Sequence, residues 1–208
     1  MSATISSINY CPVKSVSFQT IENCEIKKDI GIVSDRIFAF AKDLDQEQAK
    51  LFEKSPDDRK GKWNKVLTLK NSPVLNKYNF IYKDEKLTLT LKDKEVLTID
   101  INQSKERKTL TNKISELESS LKQTITLMKN YEFPFFDTSI SNKVDFVNSV
   151  SLINIQSIND FREKIDRNVE SSRFRGNICI DGIEPWKERE WIGKIIKINN
   201  ASFKVEKN

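Results

Sequence analysis

The segment that decides the fold reads SSRFRGNICIDG and spans residues 171–182. Its apolar run 178–180 predicts a buried strand, which an Asp-Gly turn closes. Because side chains alternate along an extended chain, we expect Arg173, Arg175 and Asn177 to share one face just before this strand. Two guanidinium forks and an amide suit an anionic, heterocyclic ligand. The alternative is a solvated strand end with two surface arginines, because arginine side chains are usually exposed.

The composition is that of an ordinary globular protein. The residues are 38% hydrophobic and 31% charged. A chain of 208 residues is long enough to bury a core in one large domain or two small ones. The net charge of +5 comes largely from lysines scattered through both halves of the chain. We therefore expect a weak preference for anionic ligands and no binding to nucleic acid. A barrel that binds RNA would need aromatic residues interleaved with lysines on one sheet face, and the sequence lacks that pattern.

The cysteine and histidine content limits both the chemistry and the compartment. Cys11, Cys24 and Cys179 form no CxxC pair and are odd in number, which argues against a disulfide framework and favours a reducing compartment. The sequence shows no signal peptide and no apolar run of membrane-spanning length, so we predict a cytoplasmic protein without a membrane partner. The absence of histidine excludes His-based zinc sites and Ser-His or Cys-His catalytic pairs. Any chemistry must therefore come from another residue type or from a cofactor.

The apolar pattern predicts a mixed α+β fold that is mainly β. Between residues 78 and 101, three apolar runs are separated by polar turns, which predicts an antiparallel meander. Leucine and isoleucine at helical spacing over 104–121 predict an amphipathic helix. That helix is the natural seam between a domain at 1–121 and a second domain at 122–208.

Several shorter segments complete the prediction. Residues 150–155 read as a buried strand, and Ser157 follows as the N-cap of a helix. Residues 41–65 read as polar and irregular, and their charged loop 57–62 is expected to face solvent. The aromatic residues of 133–136 could stack on a planar ligand or plug the edge of a core.

Five motifs, taken in order, resemble the MOSC family and cover nearly the whole chain. They are Pro12-Val13-Lys14-Ser15, Ser34-Asp35-Arg36, Val150-Ser151-Leu152-Ile153-Asn154, Arg173-Phe174-Arg175-Gly176-Asn177, and the run 181–193 with Trp186 and Trp191. MOSC domains are β-barrel domains that bind the molybdenum cofactor, and a MOSC N-terminal β-barrel domain often precedes them. The resemblance therefore implies an antiparallel, barrel-like domain at 1–121, followed by an incomplete MOSC barrel.

The resemblance also implies a function. Family members include the mitochondrial amidoxime-reducing components and their bacterial relatives, which reduce N-hydroxylated compounds at a mononuclear molybdenum centre. It implies that the molybdenum cofactor (molybdopterin) is bound by Lys14, Ser15, Arg36, Arg175 and Asn177. Cationic forks and a hydroxyl suit the phosphate of that cofactor, and an amide suits its pterin edge. We expect a small-molecule substrate and a separate electron-donor protein, because the chain has no iron–sulfur cysteine cluster.

The family pattern also includes a metal-ligating cysteine that this sequence does not contain. In the family this cysteine lies a few residues beyond the strand that matches 205–207, whereas the chain ends at Asn208. We therefore expect a MOSC domain without its C-terminal part, and we assign no metal ligand and no catalytic residue. Cys11 adjoins the Lys14-Ser15 motif and is the alternative thiol. The competing hypothesis is a non-catalytic module, or an inactive fragment, that binds the cofactor or another anion.

Overall fold

The computed structural model describes residues 3–54, 57–59, 62–121, 123–136 and 149–206. The helices in these residues are α1 (Gln46–Lys54), α2 (Ser104–Leu117) and α3 (Ile155–Ile165). The strands are β1 (Thr4–Tyr10), β2 (Gln19–Ile21), β3 (Ile26–Lys27), β4 (Gly31–Ile32), β5 (Phe38–Lys42), β6 (Tyr78–Lys83), β7 (Lys86–Leu91), β8 (Lys94–Asp100), β9 (Ile125–Lys129), β10 (Leu152–Asn154), β11 (Ile178–Asp181), β12 (Ile195–Ile198) and β13 (Ala201–Lys204).

The chain divides into two compact units whose segments alternate along the sequence. We call one the meander unit, which comprises Tyr10–Gln19 and Lys27–Ser149. The other is the terminal unit, which comprises Met1–Asn9, Thr20–Ile26 and Val150–Asn208. Residues near the two ends of the chain therefore belong to the same unit.

The meander unit is built on antiparallel β-structure. β6, β7 and β8 form a sheet in chain order, with Phe80 opposite Leu89, and β5 pairs with β9 in a second sheet. Phe80 and Leu89 are buried, because alternate residues of β6 and β7 face the apolar core. α2 adds Leu110 and Ile114 to the same core, one helical turn apart. The predicted meander and helix are confirmed, although the helix ends at Leu117.

The terminal unit carries a four-stranded sheet in the order β10-β11-β1-β2. β11 runs parallel to β10 and antiparallel to β1, so it is paired on both edges. Residues 178–180 of this strand are buried, which confirms the buried strand predicted there. β12 and β13 form a separate hairpin that turns at Asn199, whose φ is 57°.

The start of α3 differs from the prediction. Its N-cap is Asn154, whose side-chain oxygen accepts a hydrogen bond from the Gln156 N–H at 3.0 Å. The Asn154 amide also donates to Glu188 and to the Glu184 carbonyl, each at 2.9 Å. Ser157, the predicted cap, lies inside the helix and donates its hydroxyl to Glu188 at 2.7 Å. Asn154 caps the helix in place of Ser157, because its amide bonds to the first turn of the helix and to residues 184 and 188 at once.

Two further predictions are corrected. α1 forms within the segment predicted to be irregular, where Ala49 and Phe52 are buried. The described strands lie in separate sheets and close no barrel, whereas the mixed α+β fold class is confirmed. Within the described ranges, no helix has the length and apolar character needed to cross a bilayer.

Replacing Asn154 with alanine should destabilise the terminal unit strongly. The residue is fully buried, and Asn154→Ala removes the helix cap together with two side-chain donors. We expect the free energy of unfolding to fall by about 2–3 kcal/mol, measured by urea denaturation. Asn168→Ala, at an exposed position after α3, is the matched control and should change stability by less than about 0.5 kcal/mol. Equal effects of the two substitutions would contradict this reading.

The tyrosines should make the protein sensitive to alkali. Desolvation raises the pKa of Tyr10, Tyr78, Tyr82 and Tyr131 above the ordinary value, and at Tyr78 the Glu118 carboxylate raises it further. The folded protein then keeps phenolic protons that the unfolded chain releases above about pH 10. Stability should be intact below that pH and should fall as the pH rises further.

Tyr78→Phe tests the contribution of a completely buried tyrosine, whose pKa is raised by burial and by Glu118, to this loss of stability. Above about pH 10, its free energy of unfolding should fall less steeply than that of the wild type, by up to about 1.4 kcal/mol per pH unit. Urea titrations between pH 8 and pH 11 measure both slopes, and identical slopes would show that this phenol does not contribute.

Candidate functional site

Lys14 and Ser15 follow β1 in the meander unit and are both buried. The Lys14 N–H donates to the Phe38 carbonyl at 2.8 Å, which ties this segment to the start of β5. The Lys14 side chain is only 5% exposed, and its Nζ lies 5.5 Å from the centroid of the Trp63 ring. Ser15 has a left-handed φ of 67°, a conformation that non-glycine residues keep only where their surroundings hold it.

Asp35 and Arg36 form a second segment beside the first. Asp35 is 1% exposed, and its Oδ1 accepts a hydrogen bond from the Cys11 N–H at 2.9 Å. Its other carboxylate oxygen accepts a hydrogen bond from Arg36 Nη1 in an ion pair. The Arg36 N–H donates to the Cys11 carbonyl at 2.8 Å, and its φ of 54° is also left-handed. The burial of Asp35 shows that this is not a surface ion pair.

The Arg36 guanidinium is flanked by aromatic rings. Its Cζ lies 5.1 Å from the ring centroid of Phe18 and 4.8 Å from that of Phe136. Its side chain is 15% exposed, so the cation is partly desolvated and keeps an accessible edge. Beyond the pair with Asp35, the guanidinium nitrogens have no hydrogen-bond partner among the described residues. An arginine held in this way is oriented to meet a planar or forked anion.

The polar stretch before β11 differs from the prediction. Residues 171–174 form a 3-10 helix, and Arg175 has a left-handed φ of 52°. Arg173 and Arg175 therefore do not alternate along an extended segment, and the expected shared face is wrong. Arg173 is exposed and Arg175 is half-buried. The exposure of Arg173 agrees with the alternative of a surface arginine.

Asn177 has a structural role in the terminal unit. It is 1% exposed, and its Oδ1 accepts a hydrogen bond from the Ser151 hydroxyl at 2.9 Å. Its Nδ2 donates to the Asn9 carbonyl at 3.1 Å, so the amide links β1 to the segment before β10. The neighbouring Gly176 lies against Ile153, where a Cβ would stand 2.8 Å from side-chain carbons. These contacts fix the backbone that presents Arg175.

The predicted site residues divide between the units. Lys14, Ser15 and Arg36 lie in the meander unit, on the hydrogen-bonded segments after β1 and before β5. Arg175 and Asn177 lie in the terminal unit as neighbours of Ser151. The sequence did not identify the aromatic partners of the cations, namely Trp63, Phe18 and Phe136. Their signal in the sequence was a large ring in a polar segment for Phe18 and Trp63, and the aromatic run 133–136 for Phe136.

The donor set fits a phosphate-bearing ligand better than it fits a metal. Lys14, Ser15 and Arg36 offer an ammonium, a hydroxyl and a guanidinium, which are the groups that bind phosphate oxygens. No three histidine, cysteine, aspartate or glutamate side chains converge in the part of the chain that the structure describes. Cys11 is buried in the apolar core, and Cys179 Sγ accepts a hydrogen bond from Asn9 Nδ2 at 3.6 Å.

Comparison with known proteins identifies two domains. The family model described as MOSC N-terminal beta barrel domain matches residues 2–126, and the model described as MOSC domain matches residues 143–208. No curated protein matches the chain. Lys14, Ser15 and Arg36 lie within the first match, and Arg175 and Asn177 lie within the second.

Asp35→Asn tests the interaction that holds this arrangement in the meander unit. The amide oxygen can still accept from Cys11, but the charge that pairs with Arg36 is lost. We expect a loss of about 1–3 kcal/mol in the free energy of unfolding at pH 7. Asp93→Asn, in the exposed turn between β7 and β8, is the control and should be neutral. An Asp35→Asn variant as stable as the control would show that the pair does not hold the site.

Proposed function

The chain belongs to the MOSC family, and from that membership we propose that it binds the molybdenum cofactor and acts as an oxidoreductase that reduces N-hydroxylated compounds. MOSC domains occur in molybdenum cofactor sulfurase-like and related proteins, so the family is associated with this cofactor. Reduction of an amidoxime-type substrate is the finer proposal, which rests on the resemblance of the sequence motifs to the amidoxime-reducing members.

One observation carries the proposal. Lys14 and Arg36 are cations on neighbouring, hydrogen-bonded segments of the meander unit, and both are largely removed from water. A cation that is largely removed from water attracts an anion more strongly than an exposed one, because the local dielectric constant is lower. Arg36 has one carboxylate partner, Asp35, and Ser15 adds a hydroxyl next to Lys14. The group therefore suits a dianionic phosphate, which is the most strongly charged part of a pterin cofactor.

The remaining predicted residues receive supporting roles. We assign Asn177 the role of holding the backbone around Arg175, because its amide is already occupied by Ser151 and Asn9. Arg175 is the residue of this segment that would contribute charge, since Arg173 is exposed.

When bound, the cofactor would supply the electron transfer at its molybdenum centre, and the chain's own residues would hold and orient it. A separate electron-donor protein and a small-molecule substrate complete the proposal.

A second candidate function is a module that binds the cofactor, or another anion, without catalysis. It is favoured by the state of the described thiols. Cys11 and Cys179 are buried, and burial raises the pKa of the Cys24 thiol, which disfavours the thiolate that a metal requires. Both candidates need the same anion site, by which we mean Lys14, Ser15 and Arg36. They differ in whether the protein holds molybdenum and forms reduced substrate.

Metal and pterin analysis of the purified protein separates these candidates. Expressed in a host that makes the cofactor, the wild type should carry molybdenum and pterin and should reduce an amidoxime with a chemical electron donor. Pterin without molybdenum would favour the second candidate. A protein with neither molybdenum nor pterin, and without affinity for phosphate, would contradict both.

Substitutions in the anion site should lower cofactor content. Lys14→Gln and Arg36→Gln each remove one cation, so we expect about tenfold weaker binding for each. Lys94→Gln, at an exposed lysine of β8, also removes one charge and should leave the cofactor content unchanged. If all three variants keep the wild-type content, these residues do not form the site.

A further inference from the structure

Arg59 lies in the charged loop that was expected to face solvent, yet it is completely buried. Its Nε donates to the Phe52 carbonyl at 2.8 Å, at the C-terminal end of α1. Its Nη1 donates to the Pro134 carbonyl at 3.1 Å, and its Nη2 donates to the Phe133 carbonyl at 2.8 Å. The guanidinium also stacks on Phe135, with Cζ 4.0 Å from the ring centroid. Lys60 and Gly61 of the same loop lie outside the described residues.

These partners are unusual for a buried arginine. Each hydrogen bond of Arg59 to a described residue goes to a main-chain carbonyl, and none goes to a carboxylate. Burial lowers the pKa of the guanidinium to about 10, which still leaves it charged at neutral pH. A lysine could not reproduce this contact, because only the planar fork of arginine reaches three acceptors in fixed directions. The fork joins the end of α1 to two successive carbonyls, Phe133 and Pro134.

Residues 133–135, which Arg59 contacts, lead directly to Arg36 of the anion site. The Phe135 N–H donates to the Arg36 carbonyl at 2.8 Å. The Phe136 ring, one residue further on, lies 4.8 Å from the Arg36 Cζ. The start of the segment is fixed independently, because Asn130 Oδ1 accepts a hydrogen bond from the Phe133 N–H at 2.7 Å. The position of the ring beside Arg36 therefore depends on how residues 133–135 are held.

We infer that Arg59 is a positioning residue for the anion site. By fixing the carbonyls of Phe133 and Pro134, it holds Phe136 against Arg36 and sets the direction in which the Arg36 guanidinium meets an anion. The role in anion binding rests on the proposed function. The geometric part, in which Arg59 acts on Arg36 through Phe136, stands without a ligand.

The test combines Arg59→Lys with Phe136→Leu in a double-mutant cycle on the whole protein. Ring currents from Phe18 and Phe136 shift the Arg36 side-chain N–H signals in a nitrogen–proton NMR spectrum. Arg59→Lys should move these signals towards those of Phe136→Leu. Inorganic phosphate, titrated as the probe, should bind about fivefold more weakly to either variant, and the double variant should lose little more. Arg107→Lys, which keeps its ion pair with Glu53, is the matched control and should change neither readout.

The outcomes separate this inference from the proposed function. If Arg59→Lys folds and the Arg36 signals do not move, the inference is overturned. If Arg59→Lys does not fold, Arg59→Gln replaces it, and failure of both shows that Arg59 is a requirement of the fold, which also overturns the inference. A wild type that does not respond to phosphate would remove the anion site of the proposed function. The ring-current comparison would still decide whether Arg59 acts on Arg36.

Discussion

The buried carboxylate of Asp35 is the interaction on which the meander-unit site depends. One of its oxygens accepts the Cys11 N–H and the other accepts the Arg36 guanidinium. A carboxylate and a guanidinium that lose water together compensate each other's charge, so removing either one should lower the stability of the fold. The same carboxylate joins the segment after β1 to the segment before β5. The left-handed residues Ser15 and Arg36 are held in these two segments, so local backbone strain is balanced by a charge pair and a peptide hydrogen bond.

The sequence predicted those parts of the fold in which a regular pattern is long. The β6–β8 meander and α2 carry alternation or helical spacing over many residues, and both are present. α1 has nine residues, and its apolar positions are too few to stand out in a charged segment. The burial of Arg59 could not be predicted, because a charged loop is solvated unless carbonyls from distant segments converge on it. Those carbonyls come from Phe52, Phe133 and Pro134, which only the tertiary fold brings together.

The predicted site residues stay a prediction, whereas the predicted surroundings of Arg173 and Arg175 are wrong. The motifs point to Lys14, Ser15 and Arg36, which lie on neighbouring segments joined by main-chain hydrogen bonds. The strand alternation predicted upstream of β11 is wrong, because residues 171–174 form a 3-10 helix and Arg175 adopts a left-handed conformation. The side chain of Asn177 then meets Ser151 and Asn9 internally. An amide in a motif can therefore support a site by shaping the backbone.

The pairing of β1 with β11 has a consequence for synthesis on the ribosome. β1 is made long before β11, its partner on one edge, because Thr4 pairs with Asp181 far along the chain. At about 5–20 residues per second, the edge of β1 that pairs with β11 waits for roughly 10–40 seconds, whereas its other edge can pair with β2 soon after synthesis. The β6–β8 meander has local contacts and can form well before that moment. Completion of the terminal unit is therefore a late event, and chaperone binding to the waiting strand would protect the newly made protein during that interval.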